Sequence, residues 1–590
     1  MISKSHFSAE TDIPNGERAS TSSYRASRKG ILALVLVVAP ALLLVLYSKT
    51  VFPGLTHTGA LDFAQLGRNI GAGRGMVTYV LHPLALTHGA DALRQPDSTH
   101  GPLFPFLLAL AFGVAGARDA VASGVSGLFY LLTIPMLYVL GLRVFNRTIG
   151  SVAAAAFAFS SLSLEYAVSG LHITLYTFLV TSLSLVLYNL AAAGKAQAPP
   201  TESPLPTNLL LLAGTFMGLL YLTDAVFIWL LPVVLGGIIR IAGPSQRAAT
   251  VKFLLPLGAL ILPWMVRNGM VTGSPLFGLR GAEIWMYTDH YFPGRVAYRM
   301  FPEEFVRGVY LIPAVIKKVL FGLNTVVRVL PEISNAWLLA FLLPCLFFGY
   351  TSTAATLLRR LMLFSFVALL FGMLLFQVEM PLFHALVPTM LVFAVAYLNH
   401  LIKQAALSPF ARWTTAALLG VTVAYPLLSQ MFLEPKALAL PEAVSARALG
   451  RMAQSQQVVL SDRPDVVAWY ADRPSVQLPA DDSRLADIRT RFPETRWIFL
   501  TSGAREQSSQ WQYLYDRCVL WNTAYLNAQR TNSRVPPFIR ISGSVQPLYK
   551  ILEGFTSISP APDASPSTVL AALPETKSSL DSQSARDRAR

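Results

Sequence analysis

Long apolar stretches recur from about residue 31 to residue 432 and constrain the fold more than any other feature of the chain. Each is close to the roughly 20 residues that an α-helix needs to cross a bilayer. Only 13% of the 590 residues are charged, whereas soluble proteins carry roughly 25%. A transmembrane β-barrel would show short segments of alternating hydrophobicity instead. The pattern therefore predicts a polytopic α-helical membrane protein.

About eleven stretches are predicted to span the membrane. They are residues 30–51, 121–142, 149–164, 172–192, 207–223, 225–240, 253–269, 335–350, 361–378, 382–402 and 413–432. With the N-terminus inside, the short connections that hold Arg143, Lys195, Arg240, Arg359 and Lys403 face the cytoplasm, as the positive-inside rule requires. The net charge of +15 is then explained by helix orientation and contact with anionic membrane lipids, and no nucleic acid partner is expected.

This threading also predicts the domains and the location of the chain. The parts are a cytoplasmic tail at 1–29, a transmembrane module at 30–432 with outer loops at 52–120 and 270–334, a small extracytoplasmic α/β domain at 433–558 and a disordered tail at 559–590. The membrane is predicted to be the inner (cytoplasmic) membrane. The apolar residues 100–119 are interpreted as a helix at the outer interface, because a span there would turn the later basic loops outward.

Polar side chains near helix ends collect on the predicted outer face, in five separate connections. They are Asp62, Glu165, His172, Asp224, Arg267, Asn268, Glu379 and His384. Ionisable groups at membrane depth are costly and usually mark a pathway or a site. Any one of them could be an ordinary solvated or hydrogen-bonded helix end, so the prediction of a site depends on their convergence.

Such a face supports group transfer from a lipid-linked donor. A carboxylate can act as a general base on an acceptor hydroxyl. A guanidinium or a metal ion can bind a phosphate leaving group and stabilise its developing charge. Because nucleotide sugars are not supplied outside the cytoplasm, a sugar donor used there would arrive on a lipid, which favours a polyprenyl-phosphate sugar.

Three stretches carry a resemblance to a known family. LPWMVRNGMVTGSPLF, residues 262–277, resembles the Pro-Trp, Arg-Asn and Gly-Ser-Pro signature of bacterial C-type membrane glycosyltransferases, in the branch of protein O-mannosyltransferases and aminoarabinose transferases. ALDFAQLGRNIGAGRG, residues 60–75, resembles their acidic residue that opens an interfacial helix ending at a glycine-rich turn. THGPLFPFLLAL, residues 99–110, resembles the Pro-Pro-Leu element that follows.

The resemblance implies a C-type fold and an inverting glycosyltransferase. It implies that Asp62 is the catalytic base acting on a lipid, glycan or protein acceptor, that a polyprenyl-phosphate sugar is the donor, and that Arg267 binds the lipid phosphate. The other polar residues of the outer face are assigned to substrate binding.

The sequence also departs from the family. Phe63 follows Asp62 where many relatives have a second acid, and His172 stands where relatives usually have Asp or Glu. These departures leave open whether the chain uses a divalent metal as a cofactor. Glu165 is the candidate for the missing second acid. Two other functions also stay open: a transporter or flippase for polyprenyl lipids or solutes, and an inactive sugar-binding scaffold.

Overall fold

The computed structural model describes most of the membrane region and part of the C-terminal region. The described residues are 36–86, 91–194, 205–288, 298–305, 308–333, 336–350, 352–405, 408–434, 440–480, 484–507, 511–512, 556–557 and 569–572. The predicted cytoplasmic tail at 1–29 lies outside them, as does most of the predicted disordered tail.

Helices make up most of the described chain. Those up to residue 432 are α1 (Leu36–Val51), α2 (Thr58–Gly71), α3 (Leu103–Ala115), α4 (Asp119–Val144), α5 (Arg147–Ala158), α6 (Ser161–Val168), α7 (Ile173–Ala193), α8 (Thr207–Thr223), α9 (Leu231–Ala242), α10 (Gln246–Thr272), α11 (Ile312–Val329), α12 (Ala336–Cys345), α13 (Thr353–Leu375), α14 (Val387–Gln404) and α15 (Pro409–Phe432). Several begin at a side-chain cap; the Asn146 side chain, for example, accepts from the backbone N–H of Ile149 at the start of α5.

Seven helical stretches of the described chain are long and apolar enough to cross a membrane. They are Asp119–Val144, Ile173–Ala193, Ala225–Thr272, Val309–Val329, Thr353–Leu375, Met380–Gln404 and Pro409–Phe432. The number becomes eight if α5 and α6, which meet at 58°, form one broken span. The chain is therefore a helical membrane protein, as the hydropathy pattern predicts.

The eleven predicted spans do not each correspond to one spanning helix of the structure. The predicted spans 225–240 and 253–269 fall within one continuous stretch, Ala225–Thr272, and 149–164 corresponds to the bent pair α5 and α6. The helices α1, α8 and α12 are shorter than 18 residues. One apolar stretch, Val309–Val329, lies inside the predicted outer loop 270–334.

Close helix contacts in this bundle depend on small residues. A Cβ on Gly141 of α4 would lie 2.6 Å from the Cα of Gly150 on α5, and one on Gly214 of α8 would lie 2.0 Å from the Phe253 carbonyl oxygen on α10. Small residues at these crossings let the backbones approach, which is how helices gain packing energy in a membrane.

The short helices α2 and α3 form a pair beside the bundle. The 13 residues of α3 extend about 20 Å, which is too short for a hydrocarbon layer of about 30 Å. Gly67 of α2 lies against α3, since a Cβ there would meet the Leu108 Cβ at 2.7 Å. The apolar residues 100–119 thus contain the short helix α3, which packs on α2.

A six-stranded sheet joins the first loop to the C-terminal region. Its strands are β1 (Val80–Leu81), β2 (Val458–Ser461), β3 (Ser475–Gln477), β4 (Thr495–Leu500), β5 (Thr556–Ser557) and β6 (Val569–Ala572), in the order β1-β3-β2-β4-β6-β5. The first four strands are parallel, and β6 pairs antiparallel with β4 and β5. β1 comes from the predicted first outer loop, and β6 lies in the range expected to be disordered. The helices of this region are α16 (Pro441–Met452), α17 (Pro464–Val466) and α18 (Leu485–Arg491).

The sheet region is fixed to α2 by polar contacts. Arg68 of α2 donates hydrogen bonds to the carbonyl oxygens of Ala468 and Trp469, at 2.6 and 2.8 Å, and pairs with Asp472 at 2.8 Å. The guanidinium also lies 5.1 Å from the centroid of the Trp469 ring. The helix that carries Asp62 is thus anchored from two sides, by α3 and by the sheet region.

Candidate active site

Asp62 lies on the buried face of α2 and is held by its own helix. It is 7% exposed, and Gln65, one turn later, donates a 2.8 Å hydrogen bond to its Oδ1. Gln65 also donates to Thr78 and accepts from the backbone N–H of Tyr79. Because the segment after the glycine-rich turn fixes Gln65, it also fixes the Asp62 carboxylate.

His100 links Asp62 to a second carboxylate. Its Nε2 lies 3.4 Å from Asp62 Oδ2 and its Nδ1 lies 3.1 Å from Asp97 Oδ1. Asp97 also accepts hydrogen bonds from the backbone N–H of His100 and the hydroxyl of Thr99. The result is a continuous chain, Asp62–His100–Asp97, which we call the relay cluster.

The charges of the relay cluster favour an imidazolium between two carboxylates. Burial would lower the pKa of His100, but Asp62 and Asp97 outweigh it and raise that pKa to about 9. Burial would raise the pKa of Asp97, but His100 holds it below its usual range. Burial raises the pKa of Asp62, and the opposing effect of His100 does not cancel this. Of the two carboxylates, Asp62 is thus the better proton acceptor.

A second polar cluster surrounds Arg280, and we call it the arginine cluster. Arg280 donates to both carboxylate oxygens of Asp224, at 2.9 and 3.0 Å, and to Glu379 at 3.2 Å, and its Nε lies 3.5 Å from Glu283. His172 Nε2 lies 3.5 Å from Asp224 Oδ2. Burial would raise the pKa of Asp224, but Arg280 outweighs it and holds that pKa well below its usual range.

One aromatic ring separates the two clusters. The Phe63 ring centroid lies 4.8 Å from that of His100 and 4.7 Å from that of His172, both edge to face. The backbone joins the clusters too, because Leu279 N–H donates a 2.8 Å hydrogen bond to the Ser98 carbonyl. Gly278 makes this approach possible: its φ is +57°, and a Cβ would lie 2.4 Å from the same oxygen. Both clusters therefore belong to one site.

The structure brings some of the predicted site residues together and leaves others apart. Asp62, His172, Asp224 and Glu379 all lie in the two clusters. Glu165 does not: it lies on α6, where its electrostatic neighbours are His57 and Glu434, so it does not supply a second acid beside Asp62.

His384 also lies outside both clusters. It is 2% exposed, its Nε2 lies 3.4 Å from Ser163 Oγ, and its ring packs against Phe157 and Tyr166. Apolar rings surround this histidine, which is the environment of a core side chain.

Arg267 and Asn268 lie at the edge of the relay cluster. Arg267 donates to the Asn268 side chain at 3.2 Å, lies 4.5 Å from the centroid of the Trp264 ring and is close enough to Asp97 for an electrostatic interaction. Asn268 is buried, and its Nδ2 would be 3.7 Å from a Cβ on Gly278. Among the described residues, the Arg267 guanidinium has no carboxylate ion pair.

Four charged members of the site are not among the residues predicted from the sequence: Asp97, His100, Arg280 and Glu283. Asp97 and His100 occur in PDSTHGP, immediately before α3, and Arg280 and Glu283 occur in GLRGAEI, after the Pro-Trp-Arg-Asn stretch. The second pair has i, i+3 spacing within the predicted outer loop 270–334. PDSTHGP overlaps the family-like element THGPLFPFLLAL, and GLRGAEI directly follows the family-like residues 262–277, so proximity to these motifs is the available signal.

The residues of the two clusters do not suit a divalent cation. Nowhere in the described part of the chain are three or more His, Cys, Asp or Glu side chains grouped so that they could hold a metal ion. The carboxylates that could serve as ligands already face protein groups: Asp62 and Asp97 face His100, and the other acids face Arg280.

Comparison with known proteins gives a likeness in fold alone. No family model and no curated protein matches the sequence. The crystal structure of the oligosaccharyltransferase of Archaeoglobus fulgidus without ligand superposes with a TM-score of 0.54 at 13% identity, covering 79% of this chain and 69% of that one. The oligosaccharyltransferase AglB of the same organism, in complex with an inhibitory peptide and a dolichol-phosphate, gives 0.53 at 12% identity, covering 80% and 69%.

A bacterial structure is covered over more of its own length than the archaeal ones, but its TM-score is lower. ArnT from Cupriavidus metallidurans bound to undecaprenyl phosphate gives a TM-score of 0.49 at 11% identity, covering 92% of this chain and 98% of that one. The fold assignment rests on the archaeal structures. The chain therefore shares its fold with the archaeal oligosaccharyltransferase.

Proposed function

We propose that the chain is an inverting glycosyltransferase that moves a sugar from a polyprenyl-phosphate donor to a hydroxyl group of a lipid, glycan or protein acceptor. The observation that carries the proposal is the relay cluster, in which a buried Asp62 with a raised pKa contacts His100. The C-type fold supports it, and one protein of that fold is in complex with a dolichol-phosphate. An inactive sugar-binding scaffold does not need buried charged side chains in this arrangement.

The proposed chemical step is a single displacement at the anomeric carbon. Asp62 accepts the proton of the acceptor hydroxyl as the acceptor oxygen forms its bond to that carbon. The bond from the carbon to the phosphate oxygen breaks, and its electron pair leaves with the polyprenyl phosphate. His100 lies between Asp62 and Asp97, with its Nε2 3.4 Å from Asp62 Oδ2 and its Nδ1 3.1 Å from Asp97 Oδ1, and this ion pair is proposed to hold the Asp62 carboxylate in position.

Arg267 is proposed to bind the leaving phosphate. Its guanidinium has no carboxylate partner in the described chain, whereas Arg280 is surrounded by Asp224, Glu283 and Glu379. A guanidinium without a carboxylate partner can make charge-assisted hydrogen bonds to a phosphate as the negative charge of the phosphate increases. The roles follow from this difference: Arg267 contacts substrate, and Arg280 holds the loops that form the site.

Glu379 is proposed to contact the sugar or the acceptor. Its side chain is 36% exposed, whereas the Asp224 side chain in the same cluster is 4% exposed. It is therefore the carboxylate of the arginine cluster that a substrate can reach. His172 is proposed to act through Asp224, which it contacts.

The proposal includes an orientation. We place the N-terminus in the cytoplasm and both clusters on the outer face of the cytoplasmic membrane, with the region 433–558 above them. Basic residues in the short inner connections support this placement. A lipid-linked donor would then reach the site from the bilayer.

Mass spectrometry of envelope glycolipids and glycoproteins tests the function. A strain lacking the gene is compared with the parent and with a strain carrying the wild-type gene. One glycosylated species is expected to lose a sugar in the deletion strain and regain it on complementation, which identifies donor and acceptor together. An unchanged set of glycosylated species, with a lipid or solute redistributed across the membrane, would favour the transporter instead.

A further inference from the structure

A groove between two membrane-spanning helices lies apart from the site. It has a volume of about 820 Å³ and lies between α9 and α13. Its lining is mostly apolar, including Trp229, Phe364 and Phe371, but it also includes the side chains of Arg240 and Arg360. An apolar groove on spanning helices faces lipid, so its ligand is expected to have an apolar chain.

Both arginines lie at the same end of this groove. The Trp229 ring, just before α9, contacts the Phe371 ring near the end of α13, with centroids 5.1 Å apart. A Cβ on Gly237 would lie 2.9 Å from the Leu361 side chain, near the start of α13. The two helices therefore run antiparallel, which places Arg240 and Arg360 together, opposite the aromatic end.

The groove has the length of one membrane leaflet. The helical rise from Trp229 to Arg240 is about 17 Å at about 1.5 Å per residue. Half of the hydrocarbon layer is about 15 Å thick. A lipid with its phosphate at the arginines would thus reach the aromatic end with its acyl chain near the middle of the bilayer.

The two guanidinium groups are available for a ligand. Both arginines are exposed, and neither has a hydrogen bond or ion pair within the described residues. The adjacent Arg359 differs, since it donates to the carbonyl oxygens of Cys345 and Phe348. At the floor of the groove, a Cβ on Gly236 would meet nothing within 4 Å, which leaves room for a chain.

We propose that this groove binds one anionic diacyl phospholipid. The phosphate accepts hydrogen bonds from Arg240 and Arg360, and an acyl chain lies along Gly236 toward Trp229 and Phe371. Basic pockets between transmembrane helices recognise anionic head groups through such contacts. This site depends on the membrane fold and is independent of the transfer reaction.

Lipid binding to the full-length protein tests the proposal by native mass spectrometry. The protein in detergent is titrated with phosphatidylglycerol or with phosphatidylcholine of the same acyl chains. The wild type is expected to prefer phosphatidylglycerol by about thirtyfold, the ratio that about 1 kcal/mol for each of two basic residues represents. The R240Q/R360Q variant is expected to lose this preference, and R143Q/R147Q, with two exposed arginines outside the groove, is expected to keep it.

A second pair of variants tests where the acyl chain binds. Gly236→Leu fills the groove while both arginines remain, and it is expected to weaken phosphatidylglycerol binding at least tenfold, by roughly the transfer free energy of a few buried methylene groups. Gly124→Leu, at an exposed helix glycine with equally open surroundings, is the matched control and should bind normally. Equal binding of the two lipids by the wild type, an unchanged preference in R240Q/R360Q, or selective retention of a polyprenyl phosphate in place of phosphatidylglycerol would each overturn the proposal.

Discussion

The relay cluster and the arginine cluster contain similar numbers of buried acids but different cations. Asp62 and Asp97 flank an imidazole, which can gain or lose a proton. Asp224, Glu283 and Glu379 surround a guanidinium, which is permanently charged. The first cluster is thus suited to proton transfer, and the second is suited to holding distant segments of the chain together.

The largest effect on folding is expected at the arginine cluster. Arg280→Gln leaves three carboxylates without their shared cation, and removing one partner of a buried ion pair costs about 3–5 kcal/mol. The thermal unfolding temperature of the detergent-purified protein should fall steeply. Arg94→Gln is the control, because the side chain of Arg94 is 86% exposed. Equal unfolding temperatures for the two variants would contradict a structural role of Arg280.

Asp97→Asn is expected to reduce transfer by about a hundredfold, because a small misplacement of a catalytic group can cost that much. Asp97 is a positioning residue, so a second readout is needed. Loss of its charge lowers the pKa of His100, and the alkaline limb of the pH–activity profile should shift to lower pH. A loss of activity with an unshifted profile would indicate a purely structural role.

The pKa of His100 predicts how stability depends on pH. Because the folded state raises this pKa from its usual value of 6.5 to about 9, the folded state binds the proton more tightly than the unfolded state. The stabilisation is fully present below about pH 6.5 and is lost as the pH rises toward 9. The groups that face His100 are Asp62, Asp97, His82 and Arg280.

Unfolding temperatures of the wild type and His100→Asn measure this window. The stability difference between them should shrink between pH 6.5 and pH 9.5, because only the wild type loses the proton. A constant difference over this range would contradict an imidazolium in the relay cluster.

The smallest effect is expected at Glu165. This residue lies on α6, outside both clusters. Glu165→Gln should change stability by no more than about 0.5 kcal/mol, as for most substitutions away from packed polar networks, and transfer should stay within about twofold of the wild type. A loss of transfer comparable to that of Asp97→Asn would show that Glu165 belongs to the site.

The sequence predicts the membrane class of the chain and several spans, because hydropathy is a local property. It predicts α4 and α7 to within three residues but not the continuity of Ala225–Thr272, since the connection between α9 and α10 is itself helical. Strands β2, β3 and β4 lie within the residues 433–558 for which an α/β domain is predicted, whereas the partner strand β1 is two residues long and has no periodic signal.

The site could be predicted only in part for a related reason. Asp62 and Asp224 stand out because they are isolated acids beside apolar stretches. His100 and Arg280 lie in loops, and their role appears only when tertiary packing brings Ser98 and Leu279 into contact. Phe63, first interpreted as the loss of a second acid, is instead the ring between the two clusters, and Asp97 supplies the second carboxylate through His100.

The most direct test of the account is sugar transfer by Asp62→Asn in the deletion strain. The variant is compared with wild type and with Asp91→Asn, at an exposed loop aspartate, and membrane levels and unfolding temperatures are measured in parallel. The account predicts that Asp62→Asn inserts and folds normally but transfers at least about a hundredfold more slowly, as expected for loss of a general base, while Asp91→Asn is unaffected. Full transfer by a normally folded Asp62→Asn variant would contradict it.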